Sequence, residues 1–193
     1  MVTNVNNNKI LIISSFLGNL ENEIYPRKIE RATHLNIRTV LKELKALVSA
    51  NVLDYKRVGK TDVYFLKQSV EAVFLVVMAE VYKSLEFVER HKLLRDNLKE
   101  LSEWADFVIF GSYASGNEKE NSDMDMVIFS SKTRKIQKVL SGFNAELHPH
   151  FIGFDAFKKK LEAKDSLAVE IIKNHVCFGR YKTVSQLVLG WIR

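Results

Sequence analysis

One pattern near the middle of the chain limits the fold more than any other. Residues 106–110 consist of Asp106 and four apolar residues, a run typical of a buried strand, and Gly111 and Ser112 follow it directly. After ten further residues, Asp123 and Asp125 are separated by a single residue at the start of a second apolar run. Alternate residues of a strand point to the same face. The pattern therefore predicts two carboxylates close together on one side of a sheet.

Paired carboxylates and a Gly-Ser turn are both suited to binding a metal ion together with phosphate groups. Two neighbouring carboxylates repel each other unless a cation shares them. Mg²⁺ prefers oxygen ligands and usually takes one or two carboxylates together with substrate phosphates. Gly111 lets the backbone approach a phosphate closely, and the Ser112 hydroxyl can donate a hydrogen bond to it. The pattern thus predicts a Mg²⁺ site that receives a nucleoside triphosphate.

These residues resemble the signature of the DNA-polymerase-β-like nucleotidyltransferases. The segments 111–116 and 121–125 resemble, more narrowly, the minimal nucleotidyltransferases of archaea and bacteria, and the likeness extends over about residues 100–190. The resemblance implies an activity that transfers a nucleoside monophosphate from an NTP to a hydroxyl group. The residues it implies are Asp123 and Asp125 for catalysis and metal binding, and Gly111 and Ser112 for nucleotide binding.

The chain departs from this family pattern at two places. The minimal family usually has arginine where this chain has Ser115, which implies weaker phosphate binding. The family also places a third carboxylate on a later strand as the general base, and the strand predicted over 145–152 offers only Glu146. If Glu146 is misplaced, His148, on the same face, takes that position. Pro149 predicts an edge strand or a bulge.

The first third of the chain holds most of the net charge of +6. Residues 1–67 contain eleven Lys and Arg against six Asp and Glu, whereas residues 68–193 contain eighteen against seventeen. Apolar periodicity within this basic segment predicts three helices and then two short strands joined by a turn at Gly59 and Lys60. The predicted helices are 9–17, ending at Gly18 and Asn19, 27–33 and 37–50, and the strands are 52–58 and 62–66.

Three helices followed by a basic hairpin resemble a winged helix-turn-helix domain over about residues 8–67. Some minimal nucleotidyltransferases carry such a domain at the N-terminus, and the resemblance implies duplex DNA as a partner. Winged helices also serve in dimerisation and protein docking, and Glu43 interrupts the cationic character predicted for the recognition helix. The DNA-contacting residues implied are Arg38, Thr39 and Lys42 in the recognition helix and Lys56, Arg57 and Lys60 in the wing.

The segment between the two domains is predicted to be one long helix. Neither Gly nor Pro occurs in residues 69–104, and apolar residues recur there at helical spacing. We expect a homodimer formed through this helix, and a solvated His91 on it. A last helix is predicted over 184–191. The fold class is α+β, with a winged helix-turn-helix at 1–67, a connecting and dimerisation helix at 68–104, and a nucleotidyltransferase domain with a small mixed sheet at 105–193.

Composition indicates the expected location of the protein but does not indicate its activity. Cys177 is the single cysteine, so no internal disulfide can form, and a cytoplasmic protein is expected. No apolar run approaches the roughly 20 residues of a membrane span. The first function predicted is a Mg²⁺-dependent nucleotidyltransferase whose acceptor is unknown. Since minimal relatives modify toxin partners and act as antitoxins, a protein acceptor such as a toxin is one candidate.

A second function stays open at this point. A DNA-binding transcriptional regulator could carry a nucleotidyltransferase domain that senses nucleotide or has lost catalysis. Ser115 and the weakly specified third carboxylate favour this interpretation, whereas the intact pair Asp123 and Asp125 favours the enzyme.

Overall fold

The computed structural model describes residues 6–17, 23–181 and 183–185. Two compact units are present, one formed by residues up to Tyr82 together with residues 183–185, and the other by Lys83–Tyr181. Among the residues described, none of the helices combines the length and the apolar character that crossing a membrane requires.

The first unit contains the predicted three helices and a two-stranded antiparallel sheet. Its elements are α1 (Asn7–Leu17), α2 (Pro26–Thr33), α3 (Ile37–Ser49), β1 (Leu53–Val58) and β2 (Thr61–Leu66). Pro26 occupies the first turn of α2, where its missing N–H breaks no helix bond. The Asn36 side chain accepts a hydrogen bond from the Thr39 backbone N–H (2.9 Å) and caps α3. Asn51 adopts a left-handed conformation after α3 (φ 61°).

Glu43 of α3 faces inward, so the prediction that it lies on the outer surface of the helix is wrong. Glu43 is 6% exposed. It lies on the same stripe as Val40 and Leu47, both fully buried. Asn6 Nδ2 donates to Glu43 Oε1 (3.1 Å), and Lys9 Nζ lies 3.9 Å from Glu43 Oε2. A buried carboxylate needs such partners, and helical periodicity alone does not reveal them because they lie in another segment of the chain, at the start of α1.

The predicted single helix over 69–104 is interrupted at His91. Helix α4 (Val70–Arg90) ends there, a 3₁₀ helix (Lys92–Leu94) follows, and α5 (Arg95–Trp104) continues the chain. Phe87, before the break, and Leu98, after it, are both buried in the core of the second unit. The bend lets residues on both sides of the break pack into this core. Tertiary packing therefore interrupts the helix although the sequence pattern is helical throughout.

The second unit is built on a four-stranded mixed sheet, as predicted. Its strands are β3 (Phe107–Phe110), β4 (Met124–Ile128), β5 (Leu147–Phe151) and β6 (His175–Phe178). The strand order is β5-β4-β3-β6, in which β4 and β5 are parallel and the other pairs are antiparallel. Pro149 lies in β5 at the sheet edge, as its missing N–H requires. Cys177 is buried in β6.

Four helices of the described chain accompany this sheet. They are α6 (Gly111–Ser115), α7 (Arg134–Leu140), α8 (Phe154–Glu162) and α9 (Ser166–Lys173). Helix α7 was not predicted; it buries Ile136 and Val139 in the same core as Leu101 of α5. The end of the predicted first helix at Gly18 and Asn19, and most of the helix predicted over 184–191, lie outside the described residues.

Candidate active site

Strand β4 separates its apolar and acidic side chains by simple alternation. Met124 and Met126 are fully buried in the core, whereas the side chain of Asp125 is 34% exposed on the other face. Asp123 immediately precedes the strand, and its side chain is 38% exposed. The alternation that was predicted from the sequence therefore presents both carboxylates to solvent from one end of the strand.

The turn after β3 is fitted closely against Asp125. Phe110, the last residue of β3, pairs with Asp125 across the sheet. Gly111 follows with φ +71°, and a Cβ there would lie 2.6 Å from Asp125 Oδ2. Only glycine meets both the backbone conformation and this contact without displacing the carboxylate. Ser112 is the next residue, in the first turn of α6.

Strand β5 brings two more polar side chains to the same face. His148 pairs with Asp125 in the parallel register, and the Met124 N–H donates to the Glu146 carbonyl oxygen (2.8 Å). Ligand atoms of Asp123, Glu146 and His148 all lie within 4.8 Å of one another. Glu146 and His148, which the sequence treats as alternatives for one position, therefore both lie beside the aspartates.

His148 lies between the two aspartates. Its Nε2 is 3.6 Å from Asp123 Oδ2, and its Nδ1 is 3.7 Å from Asp125 Oδ1. No lysine or arginine in the described part of the chain forms an ion pair with either aspartate. The cluster is thus rich in donor atoms, reachable from solvent and without a permanent cationic partner among those residues, which fits a divalent cation. We call Asp123, Asp125, Glu146 and His148 the acidic cluster.

A largely buried histidine packs against Tyr113 of α6, so the predicted solvated position of His91 is wrong. The His91 side chain is only 12% exposed, and its ring contacts those of Phe87 and Tyr113, with centroids 4.3 and 5.4 Å apart. His91 Nε2 lies 3.5 Å from Glu118 Oε1. Burial lowers the pKa of His91; the Glu118 carboxylate acts in the opposite direction, and the Arg90 guanidinium lowers the pKa again.

Arg90 is a charged neighbour of α6 that sequence reasoning missed. Its Nη1 lies 2.5 Å from where a Cβ on Gly116 (φ +68°) would be, so glycine makes room for the guanidinium. Ser115, where the minimal family usually has arginine, instead donates to the carbonyl oxygens of Gly111 (3.1 Å) and Ser112 (2.9 Å). No sequence pattern links Arg90 to this turn, because the two are far apart in the chain and meet only through tertiary folding.

The residues predicted to contact DNA lie in the first unit. Arg38 and Lys42 are exposed on α3, and Thr39 is half-buried beside them. In the hairpin, Lys56 pairs with Glu23 (2.5 Å) and Arg57 pairs with Asp62 (2.8 Å). Lys60 is exposed in the turn between the strands. The cations of the hairpin strands are therefore largely neutralised, whereas those of α3 face solvent.

Comparison with known proteins bears on the second unit. Residues 91–181 match the family model of the nucleotidyltransferase domain. No curated protein and no solved structure was found to match the chain. The matched segment contains the Gly-Ser turn and all four residues of the acidic cluster. The part of the chain that carries the candidate active site is therefore supported as a nucleotidyltransferase domain of the DNA-polymerase-β-like type.

Proposed function

We propose that the protein is a divalent-cation-dependent nucleotidyltransferase that transfers NMP from an NTP to a hydroxyl group of an acceptor. The observation that carries this proposal is the convergence of Asp123, Asp125 and Glu146 on one face of the sheet, next to the Gly-Ser turn. Mg²⁺ is the ion that the resemblance implies.

Each residue has a distinct role in this proposal. Asp123 and Asp125 hold the cation, which when bound neutralises charge on the phosphates. The backbone at Gly111 and the Ser112 hydroxyl bind the phosphates. The acceptor oxygen forms a bond to the α-phosphorus as the bond to pyrophosphate breaks, and the acceptor proton passes to Glu146.

Label transfer tests the proposal directly. We expect the wild-type protein, incubated with each labelled NTP, Mg²⁺ and cell extract, to label one acceptor. Asp123→Asn removes a charge that holds the cation, so transfer should fall by at least about a thousandfold. Asp155→Asn is the matched control, because Asp155 is an exposed carboxylate in the first turn of α8, outside the cluster. Equal transfer by wild type and Asp123→Asn would refute the assignment.

We propose a protein as the acceptor, with a toxin-like partner as the candidate class. The support is the resemblance to minimal nucleotidyltransferases, together with a cluster open enough to admit a large acceptor, since Glu146 and His148 are exposed. Protease sensitivity of the labelled product tests this point. A label that resists protease and yields to nuclease would instead identify a nucleic-acid acceptor.

A second function is favoured by the charge of α3. Since Glu43 points inward, the outer face of the helix presents Arg38, Lys42 and Lys45 without an acidic interruption. We propose that the first unit is a winged helix-turn-helix module that binds duplex DNA, so that the protein regulates transcription as well. The alternative of a regulator with a silent catalytic domain predicts tight, salt-sensitive duplex binding and no label transfer with any NTP.

We also propose a homodimer formed through α4. The support is a row of exposed apolar side chains on the helix at four-residue steps, namely Val70 (69% exposed), Phe74 (60%) and Met78 (40%). Sedimentation should give twice the 22.2 kDa chain mass. The division into domains at 1–67, 68–104 and 105–193 stays a prediction.

A further inference from the structure

The acidic cluster contains a nitrogen donor at its centre. Strand β5 runs parallel to β4 and places His148 directly beside Asp125. Its two ring nitrogens each lie near a carboxylate oxygen of a different aspartate, at 3.6 and 3.7 Å. The imidazole therefore lies beside the position at which a cation held by both Asp123 and Asp125 would bind.

Nothing else in the described chain engages this ring. The His148 side chain is 53% exposed, and neither of its nitrogens forms a hydrogen bond with any described residue. By contrast, His175 is fully buried and its Nδ1 lies 3.0 Å from the Ile172 carbonyl oxygen. The His148 ring is therefore accessible to solvent or to a cation, whereas His175 is enclosed by its own fold.

The donor set differs from an all-oxygen site. Carboxylates suit Mg²⁺ and Mn²⁺ alike, but an imidazole nitrogen favours first-row transition ions, and Mg²⁺ exchanges its water ligands reluctantly. We propose that His148 is a metal ligand of the acidic cluster, and that the site consequently prefers Mn²⁺ to Mg²⁺. This inference rests on the proposed function, because it refines which cation the nucleotidyltransferase site holds and which residue selects it.

Electron paramagnetic resonance of Mn²⁺ added to the full-length protein tests the assignment without relying on activity. Pulsed spectra of the wild type should contain a ¹⁴N coupling from a coordinated imidazole. His148→Asp keeps a metal-binding side chain but should abolish the ¹⁴N coupling. It should also lower the Mn²⁺ to Mg²⁺ affinity ratio, measured by competition, by about tenfold or more. His150→Asn, two residues along the same strand, should leave both unchanged.

Each outcome is decisive for the inference. A ¹⁴N coupling that survives in His148→Asp, bound Mn²⁺ without any ¹⁴N coupling, or no detectable Mn²⁺ binding would each overturn it. Label transfer separates this result from the proposed function. Transfer that depends on Asp123 without nitrogen coordination refutes only the role of His148. Nitrogen coordination without transfer to any acceptor refutes only the transferase.

Discussion

In the first unit, cations of the hairpin lie beside carboxylates, whereas in the second unit the aspartates of the acidic cluster lack a lysine or arginine partner in the described chain. Lys56 pairs with Glu23, and Arg57 pairs with Asp62. Asp123 and Asp125 instead have His148, with contacts beyond hydrogen-bonding distance. Two carboxylates held close together repel each other unless a cation shares them. We therefore expect a cation to bind at the acidic cluster of the second unit. In the first unit, we expect an anionic partner to bind at the exposed face of α3 rather than at the hairpin.

After the loss expected from Asp123→Asn, the next largest effect tests whether the Gly-Ser turn is built around Asp125. Gly111→Ala should lower label transfer by about a hundredfold, because the new Cβ displaces the carboxylate, and misplacement by about 1 Å has effects of that order. It should also destabilise the protein by about 2 kcal/mol, from left-handed strain and steric overlap. Label transfer and urea unfolding measure the two losses.

A matched glycine in the other unit separates strain from contact. Gly59 also has a left-handed conformation (φ +60°), but a Cβ there meets nothing within 4 Å. Gly59→Ala should cost about 1 kcal/mol and leave transfer unchanged. If the two variants lost label transfer equally, the close contact between Gly111 and Asp125 would not contribute to catalysis.

An intermediate effect is expected for DNA binding by the first unit. Arg38→Ala with Lys42→Ala should weaken duplex binding by about 10-fold to 100-fold and reduce the slope of log affinity against log salt by about 2. The double change Lys56→Ala with Arg57→Ala should weaken binding similarly across sequences but by less, because both cations already pair with carboxylates. Fluorescence anisotropy over a salt series measures both. A larger loss from the hairpin pair would contradict this ranking of the two surfaces.

The smallest effect concerns the histidine behind α6. Because burial lowers the folded-state pKa of His91, the unfolded chain takes up a proton before the folded chain does. The resulting stabilisation is complete above the ordinary histidine pKa of about 6.5 and is lost as the pH falls through the lower folded-state value. Urea unfolding should therefore show stability falling with acidification, with a shallower fall in His91→Gln.

His34→Gln, at an exposed position of the first unit, is the control for this pH dependence. It should retain the wild-type dependence on pH. If His91→Gln and wild type gave parallel curves, the burial of His91 would not contribute to acid sensitivity.

The candidate site was predictable where it depends on local chain geometry. The alternation around Asp125 and the Gly-Ser turn directly after β3 follow from residues close together in the chain, whereas the contact between Gly111 and Asp125 Oδ2 appears only in the fold. Pro149 likewise indicated an edge strand from its own chemistry. The family match over 91–181 agrees with this reading of the nucleotidyltransferase signature.

The wrong predictions involve contacts between distant parts of the chain. Glu43 turns inward because Asn6, just before the first helix, and Lys9, on that helix, contact it, and periodicity within α3 does not reveal either residue. Helix α4 ends at Arg90 although no Gly or Pro stops it, because burial on both sides of the break at His91 favours a bend. A helical pattern reports which face is apolar, but it does not report which distant element covers that face.

Two results about the site have different origins. The sequence by itself determined that Asp123 and Asp125 share a face behind a Gly-Ser turn, because strand alternation and glycine conformation are local properties. Only the tertiary structure decided that Glu146 and His148 both join them. That outcome depends on the register between parallel strands β4 and β5, which α7 separates in the chain. Such a register is set by packing and pairing across the whole unit, so no local pattern determines it.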